Sequence, residues 1–172
     1  MAPLETRSDC SRCAALCCIA YPSDDMPGFS ACKAAGEPCP KLGGDGLCMI
    51  YERREEEGFA GCIRYECFGA GQHVVEHLFR GRDWREDATL LGPMVEAFLA
   101  MRPVSDLAYL VESALTLELP ETSRENLLAC QSELADIAAT RDGLSDSRRI
   151  AGARAAIRRI YATIDPGKLL KS

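Results

Sequence analysis

The chain has 172 residues, of which 47% are hydrophobic and 27% charged, with 20 Lys and Arg against 26 Asp and Glu. That length supports one core of ordinary size, and a net charge of -6 with no basic stripe leaves nothing for nucleic-acid binding driven by counterion release. No apolar run reaches about 18 residues and the opening Met1-Ala-Pro-Leu-Glu-Thr-Arg7 has no apolar stretch, so the expectation is a soluble, cytoplasmic protein that does not enter the membrane.

Nine of the ten cysteines fall between positions 10 and 67, a local density above the roughly 8–10% that marks a cysteine scaffold. They begin with Cys10-x2-Cys13-x3-Cys17-Cys18. If residues 10–18 are helical, Cys10, Cys13 and Cys17 lie within about 60° of one another and three sulfurs point one way. Tyr21-Pro-Ser-Asp-Asp-Met-Pro-Gly28 and Gly36-Glu-Pro-Cys-Pro40 are turn-rich and short of apolar side chains, so hydrophobic burial does little to order them. Gly43-Gly-Asp-Gly46 reads as a turn before Cys48. A helix is expected from an Asp45 cap through Cys48, Ile50 and Tyr51 to Gly58, with Glu52-Arg-Arg-Glu-Glu-Glu57 as its solvated face.

Beyond Cys67, His73 and His77 stand four apart; on a helix they share a face, as surface or packing histidines or, alternatively, as ligands. Trp84, the single tryptophan, reads as a wedge where the composition changes. That change separates a cysteine-cluster region, 1–84, from a helical bundle, 85–172, and one compact unit containing both is the arrangement expected for this length. Four helices are expected in the bundle from apolar residues at three- and four-residue spacing. The first opens at Asp87 or Pro93 and carries Leu91, Met94, Val95 and Phe98. Ser105 caps the second, with Leu107, Leu110, Val111 and Ala114, before Pro120. The third begins at Thr122 or Ser123, carries Leu127, Cys130, Leu134 and Ile137, and ends at Gly143. The fourth starts at Ser145, carries Ile150, Ala153, Ile157, Ile160 and Ile164, and stops at Pro166 and Gly167. Short connections favour antiparallel neighbours. The fold class expected is therefore mainly α: a loop-rich, metal-organised cysteine region followed by a small antiparallel bundle.

Cysteines two residues apart can offer two thiolates to one cation without backbone strain. The competing explanations are a buried apolar stripe of cysteines and a disulfide framework, the latter requiring an oxidising compartment. Cys10-Ser-Arg-Cys13 with Cys17-Cys18, then Cys39-Pro-Lys-Leu42, Gly46-Leu-Cys48-Met-Ile-Tyr51-Glu-Arg53 and Cys62-Ile-Arg-Tyr-Glu-Cys67 resemble the bacterial cysteine-cluster family described as zinc- or iron-chelating. Arg54 stands where that family usually has proline, and residues 55–61 lengthen the approach to Cys62. Including Cys67-Phe-Gly-Ala-Gly-Gln72 and Gly81-Arg-Asp-Trp84, the chain is also similar to the cysteine-rich leader of some bacterial pentapeptide-repeat proteins, but it has no such repeats. The resemblance implies Cys10, Cys13, Cys17, Cys18, Cys39, Cys48, Cys62 and Cys67 as metal ligands. Cys130 falls outside it, on a core stripe; Cys32 is an extra ligand or a free thiol.

Eight thiolates suit two zincs, one zinc with spare thiols, or an iron–sulfur cluster. Adjacent Cys17 and Cys18 have diverging side chains, better suited to different metals or different edges of one cluster. No nucleotide-binding or hydrolase motif accompanies them. The function expected is a metal-binding accessory or regulatory module holding an iron–sulfur cluster or zinc, with metal ions as partners and a protein partner on the bundle. A metalloenzyme or redox enzyme, and a structural zinc scaffold, are the alternatives.

Overall fold

The computed structural model describes residues 2–23 and 27–164, and these are mainly helical. They gather into two compact units, one of residues 7–99 and one of residues 2–6 with 100–164. The dividing line falls between Leu99 and Ala100, inside a helix, rather than at the change in composition near Trp84.

The unit of residues 7–99 opens with a single 3-10 turn, Cys10–Arg12, capped by the Asp9 carboxylate, which accepts from the Ser11 amide at 2.9 Å. Ala15 then adopts a left-handed conformation (φ 53°), and helix α1, Leu16–Ala20, begins only after it. The continuous 10–18 helix anticipated from the spacing is therefore absent, because a left-handed residue cannot propagate the i→i−4 ladder. Cys10, Cys13 and Cys17 share no single helical face.

The helix expected from Asp45 to Gly58 is absent as well. Asp45 uses its carboxylate on the Leu47 amide (2.9 Å), a local turn that competes with helix initiation. That turn closes a short antiparallel bridge between Leu42 and Cys48, with Gly43 N–H to Leu47 O at 2.8 Å and Met49 N–H to Lys41 O at 3.0 Å. One 3-10 turn follows, Tyr51–Arg53, and the chain leaves it through Gly58, whose φ of +82° matches the left-handed stop anticipated there. Helix α2 is Ala60–Arg64; α3 is Ala70–His73 and continues as a π-helical turn, Val74–Leu78. Leu16, Ile19, Ile50, Phe59, Ala70, Val74, Met94 and Phe98 are buried. Tyr21 joins them through edge contacts to Tyr65 and Phe98, with ring centroids 5.4 and 6.0 Å apart.

Helix α4, Leu91–Leu115, replaces two expected helices. Ser105 is not a cap but lies 1% exposed in its interior, two residues after Pro103. The proline removes one ladder hydrogen bond at a cost of about 3 kcal/mol. Burial of Met101, Val104, Leu107, Val111 and Ala114 offsets it.

In the second unit, α5 (Glu121–Ala138) buries Leu127, Cys130, Leu134 and Ile137, the stripe anticipated from sequence. It ends at Ala138, before Gly143, which lies inside the short helix α6, Arg141–Ser145. Asp146, rather than Ser145, caps α7 (Ser147–Tyr161), accepting from the Arg148 and Arg149 amides at 3.1 and 3.0 Å. Arg149, at the start of α7, pairs with Glu133 (2.7 Å) and Asp136 (2.6 Å) near the end of α5, so these two helices run antiparallel. Ala153, Ile157, Ile160 and Ile164 are buried as their spacing implies. The expected stop at Pro166 and Gly167 lies outside the described residues.

Candidate metal centre

Two backbone frames position the cysteines of the first unit. The first lays residues 7–12 along residues 66–76. Asp9 N–H donates to Gln72 Oε1 (2.7 Å), while Gln72 Nε2 donates to the Arg7 carbonyl (3.0 Å). Gln72 is 2% exposed, and both ends of its amide are engaged. The Arg12 guanidinium forks onto Glu76, with Nε to Oε1 and Nη2 to Oε2 both at 2.7 Å. Ser8 Oγ stands 2.9 Å from Cys67 Sγ and accepts from the Gly69 amide at 3.3 Å. Cys13 Sγ packs onto Gly71 so closely that a methyl there would overlap it. Trp84 Nε1 donates to Ala14 O at 2.7 Å, fixing the turn between Cys13 and α1.

The second frame hangs on the carbonyl end of α1. Cys39 N–H donates to Cys18 O (3.0 Å) and Gly36 N–H to Ile19 O (2.9 Å). Lys33, 8% exposed, aims its Nζ at the carbonyls of Ile19 (3.1 Å), Ala34 (3.1 Å) and Tyr21, doing for α1 what a C-terminal cation does for a helix. The Leu42–Cys48 bridge carries Cys48 back beside Cys39, whose sulfur faces the Lys41 amide at 3.5 Å. Gly61 N–H to Gly28 O (3.0 Å) and Cys62 N–H to Phe59 O (3.0 Å) place Cys62.

Electrostatics shows which thiols are neighbours. Burial pushes Cys13 up to about 12, with the charges of Cys67, Cys10 and Cys18 adding to it. Burial also raises Cys10, reinforced by Cys67 and Cys18. Cys62 rises to about 11 through burial and then Cys18, Cys39 and Cys48, and Cys39 rises through burial, Cys18 and Cys48. Cys17 and Cys18 have sulfurs 4.0 Å apart. Their mutual hydrogen bond raises Cys17 and lowers Cys18, which Lys33 and Arg54 also favour as thiolate. Cys10, Cys13, Cys17, Cys39 and Cys62 thus resist ionisation partly because another cysteine is near, a repulsion that a bound cation would reverse.

All eight cysteines anticipated as ligands take part in this coupling, and all ten cysteines are free thiols. Cys32 is exposed; Cys130 is buried on α5, where its thiol is raised by burial and faces Arg159 and Glu133 instead of other cysteines. His73 and His77 have ring centroids 4.7 Å apart. Among the described residues no three His, Cys, Asp or Glu side chains converge tightly enough to hold one ion. The donor type fits a thiophilic metal; closure around one would require thiols to turn inward.

Two cations escaped the sequence analysis. Arg54 reaches the field of Cys10, Cys18 and Cys62 while its guanidinium lies 3.8 Å over the Tyr51 ring and Nε donates to Tyr51 O at 2.7 Å. Its occupation of a proline position was the available signal. Lys33, beside Cys32, had none.

Fold and thiols together define a mainly helical protein with an irregular, cysteine-coupled segment. Among the described residues no helix is long and apolar enough to cross a membrane. No family model matches the chain, and no solved structure matches it. It is similar to the uncharacterized protein YybG of Bacillus subtilis (strain 168), 33% identical over 120 residues, which is 70% of this chain and 43% of that protein. The chain spans less than half the length of this curated relative.

Proposed function

We propose that residues 10–67 hold a metal centre, zinc or iron–sulfur, and that the protein is a metal-binding accessory or regulatory module of the cytoplasm. The observation that supports this proposal is the gathering of eight free thiols from five separate stretches of backbone into the unit of residues 7–99, with the Cys17 and Cys18 sulfurs 4.0 Å apart and Cys39 N–H bonded to Cys18 O at 3.0 Å. A folded chain that only needed small apolar residues would have no reason to crowd eight ionisable thiols together. Metal supplies the missing positive charge, taking up the thiols as thiolates and releasing their protons. Around it, Lys33 and Arg54 offset the thiolate charge, and the Lys41 amide and Ser8 hydroxyl face individual sulfurs. The helical unit of residues 100–164 is the surface proposed for a protein partner.

Anaerobic purification followed by metal analysis, acid-labile sulfide assay and visible spectroscopy tests the proposal. Stoichiometric iron with sulfide supports a cluster, whereas zinc in a colourless, sulfide-free protein supports a zinc site. A purified chain that holds no metal, and takes up none when zinc or iron with sulfide is supplied under reduction, overturns it.

A further inference from the structure

We infer that the groove between α5 and α7 docks a short acidic amphipathic helix of a partner protein, with its apolar side seated in the groove and its carboxylates on Arg148 and Arg159. The inference rests on the partner surface proposed above for residues 100–164 and goes further by placing it and giving the partner's chemistry; it does not depend on metal. The groove has a volume of about 630 Å³. Both of its sides are lined at four- and three-residue spacing, by Asn126, Cys130 and Glu133 of α5 and by Gly152, Ala156 and Arg159 of α7. That spacing is the one by which a pair of helices receives another helix. From Arg149 to Thr163 the groove runs about 20 Å, the length of about 14 helical residues.

Charge selects the occupant. Helix α7 holds five of the chain's arginines and no Asp or Glu, whereas residues 1–146 hold 25 of the 26 Asp and Glu against 13 Lys and Arg. The acidic balance of the whole chain therefore hides a positive strip. Arg149 is neutralised by Glu133 and Asp136, but among the described residues Arg148, Arg154, Arg158 and Arg159 have no carboxylate within ion-pair distance, and all four are exposed. At 100° per residue, Arg159 and Arg148 lie about 60° and 80° round α7 from Ala156, at the edge of the groove. Arg154 and Arg158 lie about 160° round from it, on the opposite side of the helix.

The same strip suits other anionic partners less well. Its exposed residues between the arginines are Ala151, Gly152, Ala155 and Ala162, too small to anchor α7 in a bilayer. An extended polyanion would meet the acidic excess of the rest of the chain, whereas a helix of about 14 residues spans the groove and no more. The groove is also open to filling, because a Cβ built at Gly152 meets no heavy atom within 4 Å.

Phage display against the purified full chain tests this, using helices of about 14 residues with apolar positions fixed at three- and four-residue spacing and the rest randomised. Glu and Asp should be enriched at the randomised positions. The selected peptides should bind about tenfold more weakly to Arg148→Glu and to Arg159→Glu, yet change less than about threefold with Arg154→Glu or Arg158→Glu. Gly152→Gln adds an uncharged side chain to open space and a better helix former, so it should keep or raise the thermal midpoint while abolishing binding. Absence of acidic enrichment, or equal losses in Arg154→Glu and Arg159→Glu, would overturn the groove assignment. So would duplex DNA that displaces the peptide and depends equally on all four arginines, which would give the strip to nucleic acid. A selected helix lost in Leu128→Glu, on the far and exposed side of α5, but retained in Gly152→Gln would overturn the groove while leaving a partner surface in this unit. A chain that selects no helix would overturn the partner surface itself.

Discussion

Gly71→Ala separates ordinary helix energetics from the close packing of Cys13. Gly71 lies in α3 with ordinary helical backbone, so alanine should stabilise that turn by about 0.5–1 kcal/mol through lost unfolded-state entropy. The added methyl would overlap Cys13 Sγ and sit 3.1 Å from Cys13 Cβ, while lying at an ordinary 4.0 Å from the Phe98 ring. Rotating the sulfur relieves the first clash but not the second, which requires the turn between Cys10–Arg12 and α1 to shift by a few tenths of an ångström. Overpacking of this kind costs about 1–3 kcal/mol, so it outweighs the helix gain and leaves the variant less stable by about 1 kcal/mol. With a urea dependence of about 1–3 kcal/mol per molar, the midpoint should fall by roughly 0.3–1 M. Trp84 is the natural reporter, being the single tryptophan and bonded to Ala14 beside Cys13. Zinc uptake should weaken in parallel, because Cys13 is displaced. A variant stabilised by the full helix increment, with unchanged zinc affinity, would show that Cys13 does not depend on contact with Gly71.

Lys33→Met should destabilise the cysteine-bearing unit by roughly 2–3 kcal/mol, since three carbonyls lose their shared donor; an unchanged urea midpoint would refute that role. Cys130→Ser, placing a hydroxyl where the thiol is 7% exposed, should cost about 1–3 kcal/mol with metal content unaltered, whereas Cys32→Ser should change stability by less than about 0.5 kcal/mol and metal content not at all. Loss of metal from either variant would show that the ligand set extends beyond the eight coupled thiols. The Arg12 hydrogen bonds hold the Glu76 carboxyl below its ordinary 4.5, so this contribution is present above that pH and disappears as pH falls through the lowered folded value. Both partners are more than a third exposed, limiting the pair to about 1 kcal/mol or less, so Arg12→Gln should lower the urea midpoint at pH 6 and have little effect at pH 3. Equal losses at both pH values would assign the effect to packing.

Local pattern alone was sufficient for α5 and α7. Leu127, Cys130, Leu134 and Ile137, and then Ala153, Ile157 and Ile160, recur at helical spacing and are buried on that account. The crowding of cysteines between positions 10 and 67 was likewise legible, and these nine lie in the unit of residues 7–99 while Cys130 is buried on the core stripe of α5, as its spacing implied. Tertiary structure decided what local rules left open or misjudged. Burial of the α4 stripe carried that helix through Pro103 and past Ser105, overriding two local stop and start signals. A left-handed Ala15 and the Asp45 turn removed two plausible helices from the cysteine segment, where too little apolar surface is available for packing to enforce regular structure. The grouping of the thiols, and the placement of Lys33 and Arg54 among them, depended on hydrogen bonds between residues separated by up to 70 positions. Spacing along the chain specifies which donors are available, but their assembly is a property of long-range closure, which local periodicity does not encode.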